Sequence, residues 1–173
     1  MYAPYNQYRI FGGSTKGELI MWDLQNNCKV ILALKEARNK NSFIISICKL
    51  DSEHDDHHSI ICGSITGYIF KVNFTKNIFA TAKQQQSSLH MYTATIAHKV
   101  SYDTFGSTQS LFTVPVLVEK NSSHKQSPLQ FLFSAHEAAH IICHDPKTML
   151  SIRILSLATN LSTKLYSCCY LPQ

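Results

Sequence analysis

One stretch of the chain, residues 8–24, recurs along the sequence and constrains the fold more than any single motif does. It consists of two apolar runs separated by the turn-forming residues 12–17, which begin with Gly-Gly and end with Gly17. Two strand-like runs around a turn with glycine at both ends are typical of a β-hairpin. The second run ends on Trp22-Asp23.

A second copy of this hairpin occupies residues 58–74, and a weaker third copy occupies residues 130–146. The aligned positions include the residue that closes each turn and the polar residue that ends each hairpin: Gly17, Gly67 and Ala139, then Asp23, Asn73 and Asp145. Such internal repetition indicates an architecture in which similar units pack on one another. The sequence therefore predicts an all-β protein built from repeated antiparallel units.

The residues of the first copy resemble a WD-repeat, the unit of a family of β-propellers. In that family each unit is a four-stranded blade whose third strand ends in Trp-Asp or a substitute, as at Trp22-Asp23 here. The second and third copies have Val72 and His144 where the first has Trp22. The resemblance implies a partial propeller of roughly three four-stranded blades, with Trp22 packing between blades.

The blade boundaries follow from the repeat. Blade one is predicted at residues 8–34 and blade two at 43–82, where residues 77–82 would close it. The insertion and blade three together occupy 83–157, and an extra inner strand is expected at 165–171. The whole chain, 1–173, is then one propeller segment.

The insertion is inferred from the spacing of the copies. Gly13 and Gly63 are 50 residues apart, close to the period of about 40–45 that is usual for such blades. Gly63 and Ala135 are 72 residues apart. This spacing is roughly 30 residues longer than the period, which indicates an insertion. Two apolar runs lie in this insertion, at 90–100 and 111–118, and one of them is expected to be the inner strand of the third blade. Pro115 argues against a central paired position for the second run.

A five-residue motif offers a different chemistry. His136-Glu137-Ala138-Ala139-His140 matches H-E-x-x-H, which on a helix binds zinc through its two histidines while the glutamate acts as general base. His144 would be a third ligand. The motif falls on the turn of the third hairpin copy, however, and a turn does not give the helical spacing. A zinc-dependent hydrolase is therefore retained as an alternative, and the leading prediction includes no metal, cofactor or catalytic residue.

Composition and sequence patterns bear on the expected compartment of the protein. The chain carries 16 Lys and Arg against 11 Asp and Glu, for a net charge of +5, and these charges are scattered along the sequence. No apolar run approaches the roughly 20 residues needed to cross a bilayer, and the first residues lack the pattern of a secretory signal. We therefore expect a cytoplasmic protein, with a nuclear location as the alternative, and free cysteine thiols.

The resemblance implies a non-catalytic scaffold that mediates protein–protein interaction within a larger complex. Its contact surfaces would include the rim loops at 35–42, 51–58 and 159–163 together with the 83–128 insertion. An RNA-processing accessory subunit that binds RNA or its modifying enzyme is the related alternative. Three blades are too few to close a propeller, since the smallest have about four. Further blades or a second chain are therefore expected to complete the ring.

Overall fold

The computed structural model of the chain describes residues 9–25, 27–35, 42–50, 57–77, 92–116, 129–157 and 164–168. These residues form three separate sheets of antiparallel strands. Among the described residues, a 3-10 turn at Asp103–Phe105 joins the second sheet to the third, and no α-helix occurs. The prediction of an all-β fold is confirmed.

The first sheet contains the first hairpin copy and one further strand. Its strands are Arg9–Gly13 (β1), Glu18–Asp23 (β2) and Cys28–Ala33 (β3), in the order β1-β2-β3. Gly13 lies opposite Leu19 across the hairpin. The strands predicted within 8–34 are therefore present, and among the described residues this sheet has three strands where the other two have four.

The second sheet contains the second hairpin copy at its centre. Its strands are Ile44–Leu50 (β4), His57–Ser64 (β5), Tyr68–Lys76 (β6) and Tyr92–Ser101 (β7), in that order. The sequence assigned the closing strand to residues 77–82, but the closing strand is β7. The reason is that β7 supplies ten residues that pair along the whole length of β6. Residues 78–82 lie outside the described residues.

The third sheet contains the third copy. Its strands are Thr108–Val116 (β8), Leu129–His136 (β9), His140–His144 (β10) and Ser151–Ser156 (β11), in the order β8-β9-β10-β11. Both apolar runs of the expected insertion thus belong to sheets, one as β7 and one as β8. Pro115 lies in β8, which pairs only with β9 among the described strands, so the proline is at a sheet edge as its missing N–H requires.

The first two sheets pack face to face because apolar side chains alternate along their strands. In β2 the side chains of Leu19 and Met21 are fully buried, whereas those of Ile20 and Trp22 between them are not. Successive side chains of a strand point to opposite faces, so one face of this sheet is covered and the other is open. The covered face packs against Phe70 and other buried residues of the second sheet.

A polar contact also joins the first two sheets. The Tyr92 hydroxyl of β7 donates a hydrogen bond to the Asp23 carboxylate and accepts one from the Arg9 guanidinium at 2.8 Å. Asp23 is 2% exposed, and a buried carboxylate needs such partners to offset its lost hydration. Arg9 also lies over the Tyr92 ring, with 5.2 Å between its guanidinium carbon and the ring centroid.

The second and third sheets share a separate core. Ile61 and Ile69, on the opposite face of the second sheet, pack with Leu132 and Met149. The ammonium of Lys71 donates to the backbone carbonyl of Pro146 at 2.7 Å. The three sheets therefore lie in a row, with each internal sheet face buried against its neighbour.

Residues 164–168 follow the third sheet but belong to none of the three sheets. The Leu165 N–H donates to the Glu137 carbonyl at 3.0 Å, and the Cys168 N–H donates to the Ser110 hydroxyl at 3.1 Å. The extra inner strand predicted at 165–171 is thus a segment without strand pairing over its described part. Residues 169–171 lie outside the described residues.

The structure bears on the cysteines and on membrane-spanning helices. The described cysteines at 28, 48, 62, 143 and 168 are all free thiols. Within the part of the chain that the structure describes, there is no helix long and apolar enough to span a bilayer.

Candidate functional site

The turns of the three hairpins share one backbone geometry. Each turn closes on a residue with a left-handed backbone: φ is 76° at Gly17, 82° at Gly67 and 56° at Ala139. The N–H of each of these residues bonds to the carbonyl three residues earlier, and its own carbonyl accepts a bond from the residue after the fourth or last strand. The alignment of the three copies made from the sequence therefore corresponds to equivalent positions in space.

The H-E-x-x-H motif lies on the third of these turns. His136 ends β9, His140 begins β10, and the two residues lie directly opposite each other across the antiparallel pair. The His140 ring stacks on Phe105 with 4.4 Å between the ring centroids, and its Nδ1 contacts the Ala138 carbonyl at 2.7 Å. The helical spacing that the hydrolase alternative requires is not present at these residues.

The glutamate of the motif is engaged elsewhere. One oxygen of the Glu137 carboxylate accepts a hydrogen bond from the Lys164 ammonium at 2.6 Å, and the other accepts one from the Ser107 hydroxyl at 2.9 Å. The bond from Lys164 is the main reason that the pKa of Glu137 is lowered, which keeps it ionised. The carboxylate therefore anchors the segment 164–168 to the third turn.

His136 instead belongs to a buried network that sequence analysis did not find. The Ser134 hydroxyl lies 2.9 Å from Nε2 of His136 and 2.7 Å from Nε2 of His144. His136 Nδ1 faces the Gly106 carbonyl at 3.4 Å, and His144 Nδ1 faces the Tyr102 hydroxyl at 3.4 Å. Ser134, His136 and His144 are each 0% exposed. The network thus ties β9 and β10 to the segment that precedes β8.

Burial decides the charge of the two histidines. It lowers the pKa of His136 to about 4, and it lowers the pKa of His144 to about 4 as well. Both imidazoles are consequently neutral at pH 7. A signal for the network was present in the sequence, because Ser134 and His136 are two residues apart on a strand and must share a face. The partner on the neighbouring strand could not be identified without the hairpin register.

The side chains that the zinc alternative names are not arranged as a metal site. Among the side chains that the structure describes, no group of three or more His, Cys, Asp or Glu is close enough together to hold a metal ion. His136 and His144 are bridged by a serine hydroxyl, and Glu137 is paired with Lys164. Two residues of the motif, His136 and Glu137, thus join the third sheet to the segments that precede and follow it.

The open face of the first sheet is the first of two candidate interaction surfaces. We call it the N-terminal end face and define it by four apolar side chains of β1, β2 and β3: Ile10, Ile20, Trp22 and Ile31. Ile10 is 53% exposed and Ile31 is 51% exposed. The Lys29 ammonium lies over the Trp22 ring, 5.7 Å from its centroid. Trp22 therefore lies on an open apolar face rather than between two described sheets.

The open face of the third sheet is the second surface. We call it the C-terminal end face and define it by side chains of β8, β9, β10 and β11: Phe112, Phe133, Ile141 and Leu155. The rings of Phe112 and Phe133 stack at 5.4 Å between centroids, and Leu155 is 40% exposed. An apolar cluster open to solvent on a sheet face is typical of a protein contact surface.

Searches of the chain against protein-family models and against curated protein sequences find no match. The candidate surfaces are therefore assigned from the residues and their geometry.

Much of the predicted rim lies outside the described residues, namely residues 36–41, 51–56, 83–91, 117–128 and 158–163. The two end faces are the surfaces on which a functional proposal can be built.

Proposed function

We propose that this chain is part of a β-propeller of WD-repeat type and that it acts as a non-catalytic scaffold for protein–protein interaction within a larger complex. The propeller assignment is supported by the equivalent left-handed turn positions at Gly17, Gly67 and Ala139. It is also supported by the order of the sheets, in which each unit is an antiparallel meander that packs on the next.

The observation that carries the scaffold role is the pair of open apolar end faces. Ile10 and Ile31 each leave about half of their surface in solvent on the first sheet. Exposing such a cluster has a cost in water, because each buried CH₂ group is worth about 0.8 kcal/mol. A protein partner that covers the face recovers that free energy.

The proposed role can be tested by recovering the tagged chain, with its bound proteins, from cells that make it. Ile31→Lys places a charge on the N-terminal end face, and Ile96→Lys is the matched control. Ile96 is 41% exposed and lies on β7, outside both end faces. The scaffold proposal expects proteins that bind the wild type and the control chain but not Ile31→Lys. Equal recovery with all three chains, or with none, would contradict the role of this face.

The same experiment distinguishes the scaffold role from the RNA alternative. The observation that favours RNA binding is the net charge of +5. Binding to RNA falls steeply as salt is raised, because it depends on neutralised phosphates. Association through apolar faces is not weakened in this way. Bound material that is lost on nuclease treatment and at 0.5 M salt, a concentration of about three times the physiological value, would favour RNA over protein.

A further inference from the structure

The first strands of the second and third sheets begin with the same irregular geometry. β4 leaves Ile45 out of its pairing with β5, and β8 leaves Gln109 out of its pairing with β9. The carbonyl of the residue before each strand accepts a hydrogen bond from the N–H of the residue that follows β5 or β9, at 2.9 Å and 3.0 Å. Three positions therefore correspond in the two sheets: Phe43 with Ser107, Ile45 with Gln109, and Ile65 with Glu137.

In the third sheet the side chains at these three positions bond to one another. The Gln109 amide donates to the Ser107 hydroxyl at 2.6 Å, and this hydroxyl donates to the Glu137 carboxylate at 2.9 Å. The backbone geometry at the three positions thus gathers their side chains on one surface. In the third sheet that surface is polar, and its carboxylate is also paired with Lys164.

In the second sheet the same three positions are apolar. Phe43 is 45% exposed, Ile45 is 42% exposed and Ile65 is 50% exposed. Because the backbone geometry is the same as in the third sheet, these side chains lie together, and we call them the apolar triad. Single exposed apolar residues are common on protein surfaces, whereas a group of them at one place is typical of a site that another molecule covers.

The chain enters β4 between two segments of the first sheet. The Ser42 N–H donates to the Leu34 carbonyl at 3.2 Å, and the Ile44 N–H donates to the Ser14 carbonyl at 3.3 Å. Phe43 lies between these two bonds along the chain. The apolar triad is therefore next to the end of β3 and to the turn of the first hairpin.

The segments on either side of Phe43 carry positive charge. Lys16 lies in the turn of the first hairpin and Lys35 follows the end of β3, and both are exposed. The ammonium of Lys99, which is exposed as well, donates to the Lys35 carbonyl at 3.4 Å. The same hairpin carries Glu18, which is half-buried and whose carboxylate contacts a serine hydroxyl at 3.4 Å. The border of the apolar triad towards the first sheet is therefore mainly basic.

We propose that the apolar triad binds a segment of a partner protein in which an apolar side chain lies beside acidic residues. The apolar side chain packs on the triad, because covering its half-exposed side chains removes apolar surface from water. The acidic residues face the three lysines, and complementary charge of this kind selects the partner and raises the rate at which it associates. RNA is less well matched, because its binding relies on phosphate contacts and on stacking of bases on aromatic rings, and the triad offers a single ring.

This inference rests on the proposed scaffold role and adds a surface that is separate from the two end faces. Its test is selection from a library of random displayed peptides on the purified 173-residue chain. The same selection is made on Phe43→Ser/Ile45→Gln/Ile65→Glu, which carries the residues that the third sheet has at these positions and is therefore expected to fold. The matched control, Ile152→Gln/Ile154→Ser, instead removes two exposed apolar side chains from β11. Circular dichroism checks that each variant keeps its β-sheet signal.

The wild-type chain and the control are expected to enrich peptides with an aromatic or aliphatic residue next to Asp or Glu. The affinity of these peptides, measured by fluorescence anisotropy, is expected to fall at least about tenfold in the triple variant. Lys16→Glu/Lys35→Glu changes only exposed charges, so it tests the contribution of charge even if the triple variant does not fold. It is also expected to lower the affinity of the peptides at least about tenfold.

Three results would overturn the proposal. They are no enrichment on the wild-type chain, enriched peptides that bind the folded triple variant equally well, and enriched peptides whose binding does not change in Lys16→Glu/Lys35→Glu. Random single-stranded RNA is the remaining probe. RNA that binds more tightly than the selected peptides, and that the lysine variant no longer binds, would assign the basic border to nucleic acid instead of protein.

Failure of this inference is distinct from failure of the scaffold role. No enriched peptides, together with cellular proteins that Ile31→Lys releases, would contradict binding at the apolar triad and leave the N-terminal end face as a contact surface. Enriched peptides that depend on the triad, together with cellular proteins whose recovery does not change in Ile31→Lys, would support the triad and contradict the role of that end face.

Discussion

At the scale of single residues, the left-handed turn positions are constrained by their backbone conformation and by steric crowding. Gly67 combines a φ of 82° with a crowded site, since an added Cβ would lie 2.6 Å from the Gly106 carbonyl oxygen and 2.8 Å from the Tyr102 carbonyl oxygen. Gly67→Ala is expected to lower the free energy of unfolding by at least about 2 kcal/mol, because the left-handed backbone alone costs 1–2 kcal/mol. Urea unfolding measures this change.

The matched variant is Ala139→Gly at the equivalent turn, where φ is 56°. Relief of the backbone there is offset by loss of a buried methyl group and by the greater freedom of glycine in the unfolded chain. The free energy of unfolding is expected to change by less than about 1 kcal/mol. A large loss in Ala139→Gly and none in Gly67→Ala would contradict the shared geometry of the turns.

The buried histidines give the fold a pH dependence of defined sign. Their pKa values are lowered from 6.5 to about 4, so they stay neutral in the folded state while an unfolded chain would bind protons. The free energy of unfolding is therefore not reduced by these histidines above pH 6.5. It falls as the pH drops from 6.5 towards 4, by up to about 1.4 kcal/mol per pH unit for each histidine. Urea unfolding between pH 7 and pH 4.5 measures the loss. An NMR titration in which His136 and His144 protonate near 6.5 would contradict it.

At the scale of elements, the position of a side chain on one or the other face of a strand decides its contribution. Met21 and Ile31 are both aliphatic core-type residues in the first sheet, but Met21 is 0% exposed and Ile31 is 51% exposed. Met21→Lys is expected to prevent folding, because it places a charge in the core shared with the second sheet. Ile31→Lys is expected to leave the free energy of unfolding of the monomer within about 0.5 kcal/mol. Circular dichroism and urea unfolding distinguish the two.

One hydroxyl makes the buried polar contact between the first two sheets. Tyr92→Phe removes the bonds to Asp23 and Arg9 and leaves a buried carboxylate less well satisfied, at an expected cost of about 1–3 kcal/mol. Hydrogen exchange should accelerate most in β1, β2 and β3. Thr95→Ala, at an exposed position in β7, serves as the control. An equal effect of the two variants would show that the hydroxyl does not hold the sheets together.

At the scale of the whole molecule, the sheets depend on their neighbours. A chain that ends at Ser101 keeps the first two sheets but uncovers Ile61 and Ile69, which are fully buried against the third sheet in the whole chain. This truncated chain is expected to bind a hydrophobic dye, to unfold at lower denaturant concentration and to aggregate. A soluble truncated chain with the stability of the whole chain would mean that each sheet is stable alone.

The sequence by itself determined the repeating unit. Alternating apolar residues and a small residue at each turn placed the hairpins at 8–24, 58–74 and 130–146, because strand periodicity and left-handed turns are local properties of the chain. The closing strand of the second sheet was misplaced at 77–82, since the pairing of β6 with β7 is set across a connection that carries no local signal.

Only the tertiary structure decided how these units are used. It placed His136 and His144 on one buried face around Ser134, where exclusion of water rather than a metal motif governs their chemistry. It also separated Ile20 from Met21, neighbours of similar character, into an open face and a core. Burial depends on which sheet lies on which face, and that is a property of the packed molecule rather than of any one segment.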